Sequence, residues 1–327
     1  MLAGSFQTGV VMPDVVTFGE TMALFSPRET GPLRYVAEYR LKMGGTESNV
    51  AIALARLGVE VGWFSRVGDD EMGRFIVHNV RGEGVDTSRV IVDSGAPTGI
   101  FLKEISGVGT TTVYYYRYGS AASRMRPGDL DTEYLTGARW LHVTGITPAL
   151  SESCLATVEE AIELGRSAGL EVSFDPNMRL KLWTVEQARE VMFPLIHRST
   201  ILLGGMEELS LLLQVDTPDA AADWALEQGL GIAVVKLGAD GALVATPSER
   251  RTIAPFTISR VVDTVGAGDG FDAGFIAARL LDRDPWQAAE LGNVVGAHAL
   301  MVEGDYEGYP TMAEAEAFIA GRRRVER

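Results

Sequence analysis

The stretch VVDTVGAGDGFDAGFIAARLL, residues 261–281, decides how the rest of the chain is read. A strand-like VVDT leads into the glycine turn Gly266-Ala267-Gly268, and the apolar spacing of Phe271, Phe275, Ile276 and Leu280 then predicts a helix. Glycines ahead of a helix leave free backbone N–H groups that converge on an anion, and the positive end of the helix dipole adds to the attraction. Such a turn suits a phosphoryl group in motion. Asp269 falls in the first helical turn, where a carboxylate can accept the proton of an attacking hydroxyl. The same residues also allow a plainer reading, with Asp269 as a helix cap and the glycines as a turn.

A second glycine turn opens MGGTESNVAIALARLG, residues 43–58. Gly44 and Gly45 let a ligand approach the backbone closely, and Val50, Ile52, Ala53, Leu54 and Leu57 give a nearly all-apolar helix ended by Gly58. Asn49 is the odd member: its amide either holds ligand hydroxyls or is a polar group at a helix start.

Between these two segments, short β-branched runs recur: DVVTFG (14–19), VGWFSRVG (61–68), ARWLHVTG (138–145), LEVSFDPN (170–177), STILLGG (199–205) and IAVVKLG (232–238). Amphipathic stretches such as 152–169 and 219–229 separate them. The alternation predicts parallel β-α-β units with helices on both faces of a sheet, and in such folds ligands collect beyond the carboxyl ends of the strands. Residues 21–43 and 96–118 break the pattern and read as extended antiparallel strands, with Gly107 and Gly109 suited to a hairpin turn. They describe a small sheet inserted into the α/β body. Length alone suggests roughly two domains; with no Pro- or Ser-rich linker and no internal repeat, the expectation is one domain over residues 1–327 carrying a lid.

Composition narrows the function. The 44 Asp and Glu residues outnumber the 29 Lys and Arg, leaving a net charge of −15, which excludes a surface built to neutralise a nucleic-acid backbone. One cysteine, Cys154, forms no intramolecular disulfide, and the N-terminus lacks a signal-peptide pattern, so the expected location is the cytoplasm, with no membrane attachment. None of the four lysines (42, 103, 181 and 236) follows a glycine, so the GxxxxGK[ST] phosphate loop is absent. No G-x-G-x-x-G joins a strand to a helix, and the four histidines show no zinc-ligand spacing.

Taken together, GGTESNVAIALARLG and DTVGAGDGFDAGF resemble the paired motifs of the ribokinase-like (PfkB) carbohydrate kinases, and the likeness runs from about residue 14 to 312. The resemblance implies a three-layer α/β/α fold with a mostly parallel central sheet and a small β-sheet lid. It also implies transfer of the ATP γ-phosphoryl group to a sugar hydroxyl, with Asp269 as base and the amides of Gly266, Ala267 and Gly268 as the anion hole. VYYYRYGSAAS (113–123) and FDPNMRLKLW (174–183) look like their counterparts in kinases of 2-keto-3-deoxygluconate. By that likeness Tyr115 and Arg117 reach the substrate from the lid, Arg179 binds its carboxylate, and Gly45 and Asn49 touch its hydroxyl end. A planar guanidinium suits a carboxylate, although each arginine also reads as an ordinary surface residue. Phe101 stands where these kinases commonly carry a tyrosine. Gly205-Met206-Glu207-Glu208 replaces the family's N-x-x-E motif, which is linked to magnesium and phosphate, so Glu208 keeps the acid and the amide is lost. Lys236, Gly238 and Gly241 fall in the family's adenosine-side region and Asn293 on a helix flanking the base; a turn and a helix polar residue are the alternatives. The resemblance further implies Mg2+, with metal ligands unassigned, and a monovalent cation near Asp263. A homo-oligomer formed through the lid strands completes the expectations. The leading function is thus an ATP-dependent sugar-acid kinase. A kinase of a neutral sugar such as fructose or ribose, or a catalytically silent sugar-binding regulator, stands as the alternative.

Overall fold

The computed structural model describes residues 12–106 and 111–325, so the turn expected at Gly107 and Gly109 lies outside the described residues. In chain order the strands are β1 (Val15–Phe18), β2 (Met22–Pro27), β3 (Tyr39–Gly44), β4 (Val61–Phe64), β5 (Arg66–Gly68), β6 (Ile91–Asp93), β7 (Ile100–Ile105) and β8 (Thr111–Tyr116). They continue as β9 (Trp140–Thr144), β10 (Glu171–Asp175), β11 (Ile201–Gly205), β12 (Ile232–Lys236), β13 (Ala242–Ala245) and β14 (Arg250–Ile253). The helices are α1 (Thr46–Arg56), α2 (Glu71–Gly82), α3 (Thr132–Thr136), α4 (Glu152–Ser167), α5 (Val185–His197), α6 (Met206–Leu213), α7 (Pro218–Glu227), α8 (Ala267–Leu280), α9 (Pro285–Ala299) and α10 (Met312–Val325).

Period-two alternation along the strands explains the three layers. In β12, Ile232 and Val234 point into a core covered by α1, α2, α8, α9 and α10, while Ala233 and Val235 point into a second core under α3 to α7. The strands between them form an eight-stranded sheet in the order β14-β13-β12-β11-β10-β9-β1-β4. Only β13 runs against the others, antiparallel to both β12 and β14, so the sheet is mostly parallel. Because the chain runs from β1 to β4 on one side and resumes at β9 on the other, the strand order reverses beside β1. A crevice opens there at the carboxyl ends.

The lid is a four-stranded sheet in the order β3-β2-β7-β8. Two of its junctions are antiparallel, but β2 and β7 pair in parallel, with Leu24 opposite Phe101. The uniformly antiparallel expectation fails at that junction because both strands leave the body in the same direction. A second difference concerns VVDT: residues 261–264 form no strand. The segment has no sheet edge to join; instead the Val262 N–H donates to the Leu300 carbonyl at 2.7 Å, and Val261 and Val262 remain exposed. β-Branched side chains favour a strand only where a neighbour completes the ladder.

The two layers respond differently to truncation. Leu141, fully buried in the α3–α7 core, should cost about 2–5 kcal/mol on Leu141→Ala by leaving a cavity. Tyr116, exposed on the outer lid face, should change stability by no more than about 0.5 kcal/mol on Tyr116→Ala. Urea unfolding of both variants checks the contrast.

Candidate active site

The carboxyl ends of the central strands, the two glycine turns and the inner face of the lid enclose one cleft of about 2480 Å3. Every candidate catalytic, substrate and nucleotide residue named from the sequence lines it; Asp263 does not. Three of the four lysines tie lid to body around its rim. Lys42 pairs with Glu307 at 3.2 Å, Lys103 with Asp305 at 3.4 Å, and Lys181 donates to the Val113 carbonyl of β8 at 2.8 Å.

Gly266 caps α8 in the left-handed region (φ +78°), where a Cβ would collide with the Asp305 carbonyl oxygen. Only glycine fits. Tyr309 Oη donates to the Gly266 carbonyl at 2.7 Å and steadies the turn. The first bond inside the helix runs from the Gly270 N–H to Gly266, so the amides ahead of it are the free donors of a helix N-terminus. Asp269 is buried just beyond them and accepts a hydrogen bond from Asn49 Nδ2 at 2.7 Å. Burial pushes the Asp269 carboxyl up to about 7; the Asn49 bond opposes this, the charge of Asp175 adds to it, and Arg179 and Lys236 oppose it. Asn49 therefore holds the candidate base, a partner that its sequence position alone does not reveal.

At the other glycine turn, Gly45 precedes α1, and a Cβ on it would lie 2.5 Å from the Glu20 carbonyl oxygen. Phe101 and Tyr115 face each other across β7 and β8 and stack at 5.8 Å, forming an aromatic wall on the lid's inner face. Arg117 is no solvated strand end: it turns inward, its side chain 12% exposed, with Nε 2.6 Å from Glu20 Oε2. Glu20 also accepts from Ser120 Oγ. Arg179, by contrast, is exposed to the cleft and forms no ion pair among the described residues.

Lys236 is held by carboxylates: its ammonium sits 2.9 Å from Asp272 and 3.1 Å from Asp175, and a Cβ on Gly268 would lie 3.7 Å from Nζ, which places the charge behind the glycine turn. Burial opposes the charge on Lys236, but the Asp175, Asp272 and Glu208 carboxyl groups outweigh it and hold the lysine above its usual range. Burial and the neighbouring Asp175 hold Asp272 well above the usual carboxylate range. Gly238 and Gly241 have positive φ, and Gly241 packs against the Ile253 carbonyl. Asn293 Nδ2 donates to the carbonyls of Ile253 and Ala254, so its amide hydrogens brace the backbone after β14.

Sequence reading missed Glu20, Asp175, Asp272 and Asp305. Glu20 and Asp175 stand at or just past the ends of β1 and β10, where the rule that sites follow strands could have found them. Asp272 lies three residues after Asp269, on the same helical face. Asp305, reaching from the loop after α9 to Gly44, carries no local signal. No group of three or more His, Cys, Asp or Glu side chains is arranged to hold a metal ion among the described residues.

A buried carboxylate beside a glycine turn at a helix N-terminus, under a lid, defines an enzyme that activates a hydroxyl toward a phosphoryl group. The model of the pfkB family of carbohydrate kinases matches residues 12–312, and the chain belongs to that family. It is 40% identical over 320 residues to the 2-dehydro-3-deoxygluconokinase of Bacillus subtilis (strain 168), covering 95% of this chain and 97% of the relative. The 2-dehydro-3-deoxygluconokinase of Thermoproteus tenax is 36% identical, with 94% of each chain covered. Among solved structures, a ribokinase-type protein of E. coli in complex with ATP and Mg2+ superposes with a TM-score of 0.87 at 26% identity, covering 94% of this chain and 99% of that one. The chain is a carbohydrate kinase, a phosphotransferase with an alcohol group as acceptor.

The electrostatics of Asp269 yield a pH signature. A carboxylate in the role expected for Asp269 must be ionised to act, so kcat/KM should rise with pH through an inflection near 7. Asn49→Ala removes a bond that stabilises the carboxylate, and should move that inflection to higher pH. A pH profile unchanged in the variant contradicts the assignment.

Proposed function

We propose that this kinase phosphorylates a sugar acid, 2-keto-3-deoxygluconate (2-dehydro-3-deoxygluconate), at the expense of ATP. The carrying observation is Arg179: a guanidinium with no ion pair among the described residues, facing the same cleft as a buried carboxylate. A neutral sugar offers such a cation only hydroxyl acceptors, whereas a carboxylate accepts two parallel charge-assisted bonds from it. The names of both relatives support the same substrate. The lid's aromatic wall, Phe101 and Tyr115, supplies apolar faces for the carbon skeleton. Gly45 leaves room for its far end, and Arg117, already paired with Glu20, donates from the lid.

The chemistry follows from the geometry. Asp269 accepts the proton of the substrate hydroxyl while Asn49 fixes the carboxylate's second oxygen. The hydroxyl oxygen bonds to the γ-phosphorus as the bond from phosphorus to the bridging oxygen breaks, and ADP leaves. The amides of Gly266, Ala267 and Gly268, with the ammonium of Lys236 behind them, stabilise charge on the transferring group. Gly238, Gly241 and Asn293 border the nucleotide's end of the cleft. Magnesium would enter as the counter-ion of the nucleotide, neutralising its phosphates. A monovalent cation beside Asp263 belongs to the same reading; family resemblance and the half-buried Asp263 carboxylate, which accepts from the Val265 N–H, support it.

The outer face of the lid exposes Leu41, Tyr114 and Tyr116, which supports a homo-oligomer in which lids face one another. A cytoplasmic location fits an ATP-consuming enzyme whose one cysteine is a buried free thiol. Among the described residues no helix is long and apolar enough to cross a membrane.

Two substitutions test the reading. Asp269→Asn should lower kcat by about 10²–10⁴-fold, the usual contribution of a positioned base, with sugar binding retained in calorimetry. Arg179→Ala should raise KM for 2-keto-3-deoxygluconate by about tenfold or more, the cost of one charge-assisted contact, and leave fructose or ribose unaffected. Equal losses for acidic and neutral sugars would refute the carboxylate role.

A further inference from the structure

Glu208 occupies the acidic position of the altered motif, and both of its carboxylate oxygens are already taken by backbone amides. Oε1 accepts from the Gly205 N–H at 2.6 Å, and Oε2 accepts from the Met178 N–H at 2.9 Å. The first bond caps α6; the second reaches into a different segment, the turn that follows β10. Gly205 makes this possible: a Cβ there would lie 3.2 Å from Glu208 Oε1, tight enough that a larger residue would crowd the carboxylate in its present position.

The turn that Glu208 grips is fixed at three points. Asp175 Oδ1 accepts from the Asn177 N–H at 3.0 Å, Asn177 Nδ2 donates to Thr46 Oγ1 at 3.2 Å, and Glu208 holds the Met178 N–H. Asn177 sits in the left-handed region (φ +34°), which reverses the chain direction just ahead of Met178. The next residue is Arg179, whose own carbonyl is held by the Leu182 N–H at 2.8 Å. Arg179 thus projects from a corner pinned on both sides, and Glu208 supplies the pin directly before it.

We propose that Glu208 is a positioning residue for substrate recognition: it aims Arg179 at the sugar acid's carboxylate by holding the Met178 amide, and it does not ligate magnesium. The proposal rests on the reading of Arg179 as the carboxylate's partner. Each carboxylate oxygen accepts one protein amide, which fixes the direction of the group, and turning it toward a metal would strand the Gly205 and Met178 N–H groups.

Calorimetry on Glu208→Gln, Glu208→Asp, Arg179→Ala and the Glu208→Gln/Arg179→Ala double variant separates the possibilities. Sugar-acid binding is measured with 2-keto-3-deoxygluconate in EDTA without nucleotide, and metal use is measured as ADP binding with and without Mg2+. Glutamine keeps the size but presents a donor to one of the amides; aspartate keeps the charge but is too short to span both. Each Glu208 variant should weaken sugar-acid binding about tenfold, the consequence of one unpaired buried amide, with magnesium-dependent ADP binding unchanged. In the Arg179→Ala background, Glu208→Gln should add less than about twofold, since two residues acting through one contact are not additive. Unchanged sugar-acid binding with weakened Mg2+-ADP binding would overturn the proposal in favour of a metal role. A full tenfold loss on top of Arg179→Ala would overturn it in favour of a general structural role. If Arg179→Ala itself leaves sugar-acid binding intact, the substrate reading falls, and the role of Glu208 falls with it.

Discussion

One hydrogen bond joins the two halves of this enzyme's chemistry. Asn49, in the first turns of α1, and Asp269, in the first turn of α8, lie 220 residues apart and meet at 2.7 Å inside the protein. Each helix starts at a glycine turn, and the two helices pack against each other on one face of the sheet. The bond requires that packing: if α1 slid by one turn, Asp269 would be a buried carboxylate without its amide donor. In the proposed role of base, burial raises the carboxyl's affinity for a proton, and the Asn49 bond keeps it from being too easily protonated. Those opposing effects leave it poised near neutrality.

The net charge of −15 acquires a local meaning around this pair. A strongly acidic chain that takes ATP and, on the reading proposed, a sugar acid needs cations in its cleft. Of the three basic side chains that the sequence points to, two are paired with carboxylates: Arg117 with Glu20, and Lys236 with Asp175 and Asp272. Lysines at the rim tie the lid to the body. Arg179 has no ion pair among the described residues, so the proposed recognition of the acid falls on this exposed guanidinium and on whatever fixes its direction.

The sequence made the architecture legible because the strands are short, β-branched and buried on both faces: each of the six runs that the alternation marks contributes a strand to the central sheet, and the run 61–68 also supplies β5, which pairs with β6 in a separate two-stranded sheet. VVDT misled because propensity was read without a partner strand. The parallel β2–β7 junction was hidden because two segments far apart in sequence determine it together. In the site, residues within the glycine motifs were legible from spacing, whereas their partners were not. Glu20, Asp175 and Asp272 matter through contacts across elements, and a one-dimensional pattern carries no record of which side chains a fold brings to within 3 Å of each other. Glu208 shows the same limit: its position was visible in the sequence, but the amides that occupy it come from two different segments.

The most direct measurement is the wild-type enzyme's kcat/KM with MgATP for 2-keto-3-deoxygluconate beside fructose and ribose. The account predicts phosphorylation of the sugar acid with a preference of about tenfold to a hundredfold or more, the range expected when a built cation loses its only partner. Equal or better turnover of a neutral sugar would contradict it.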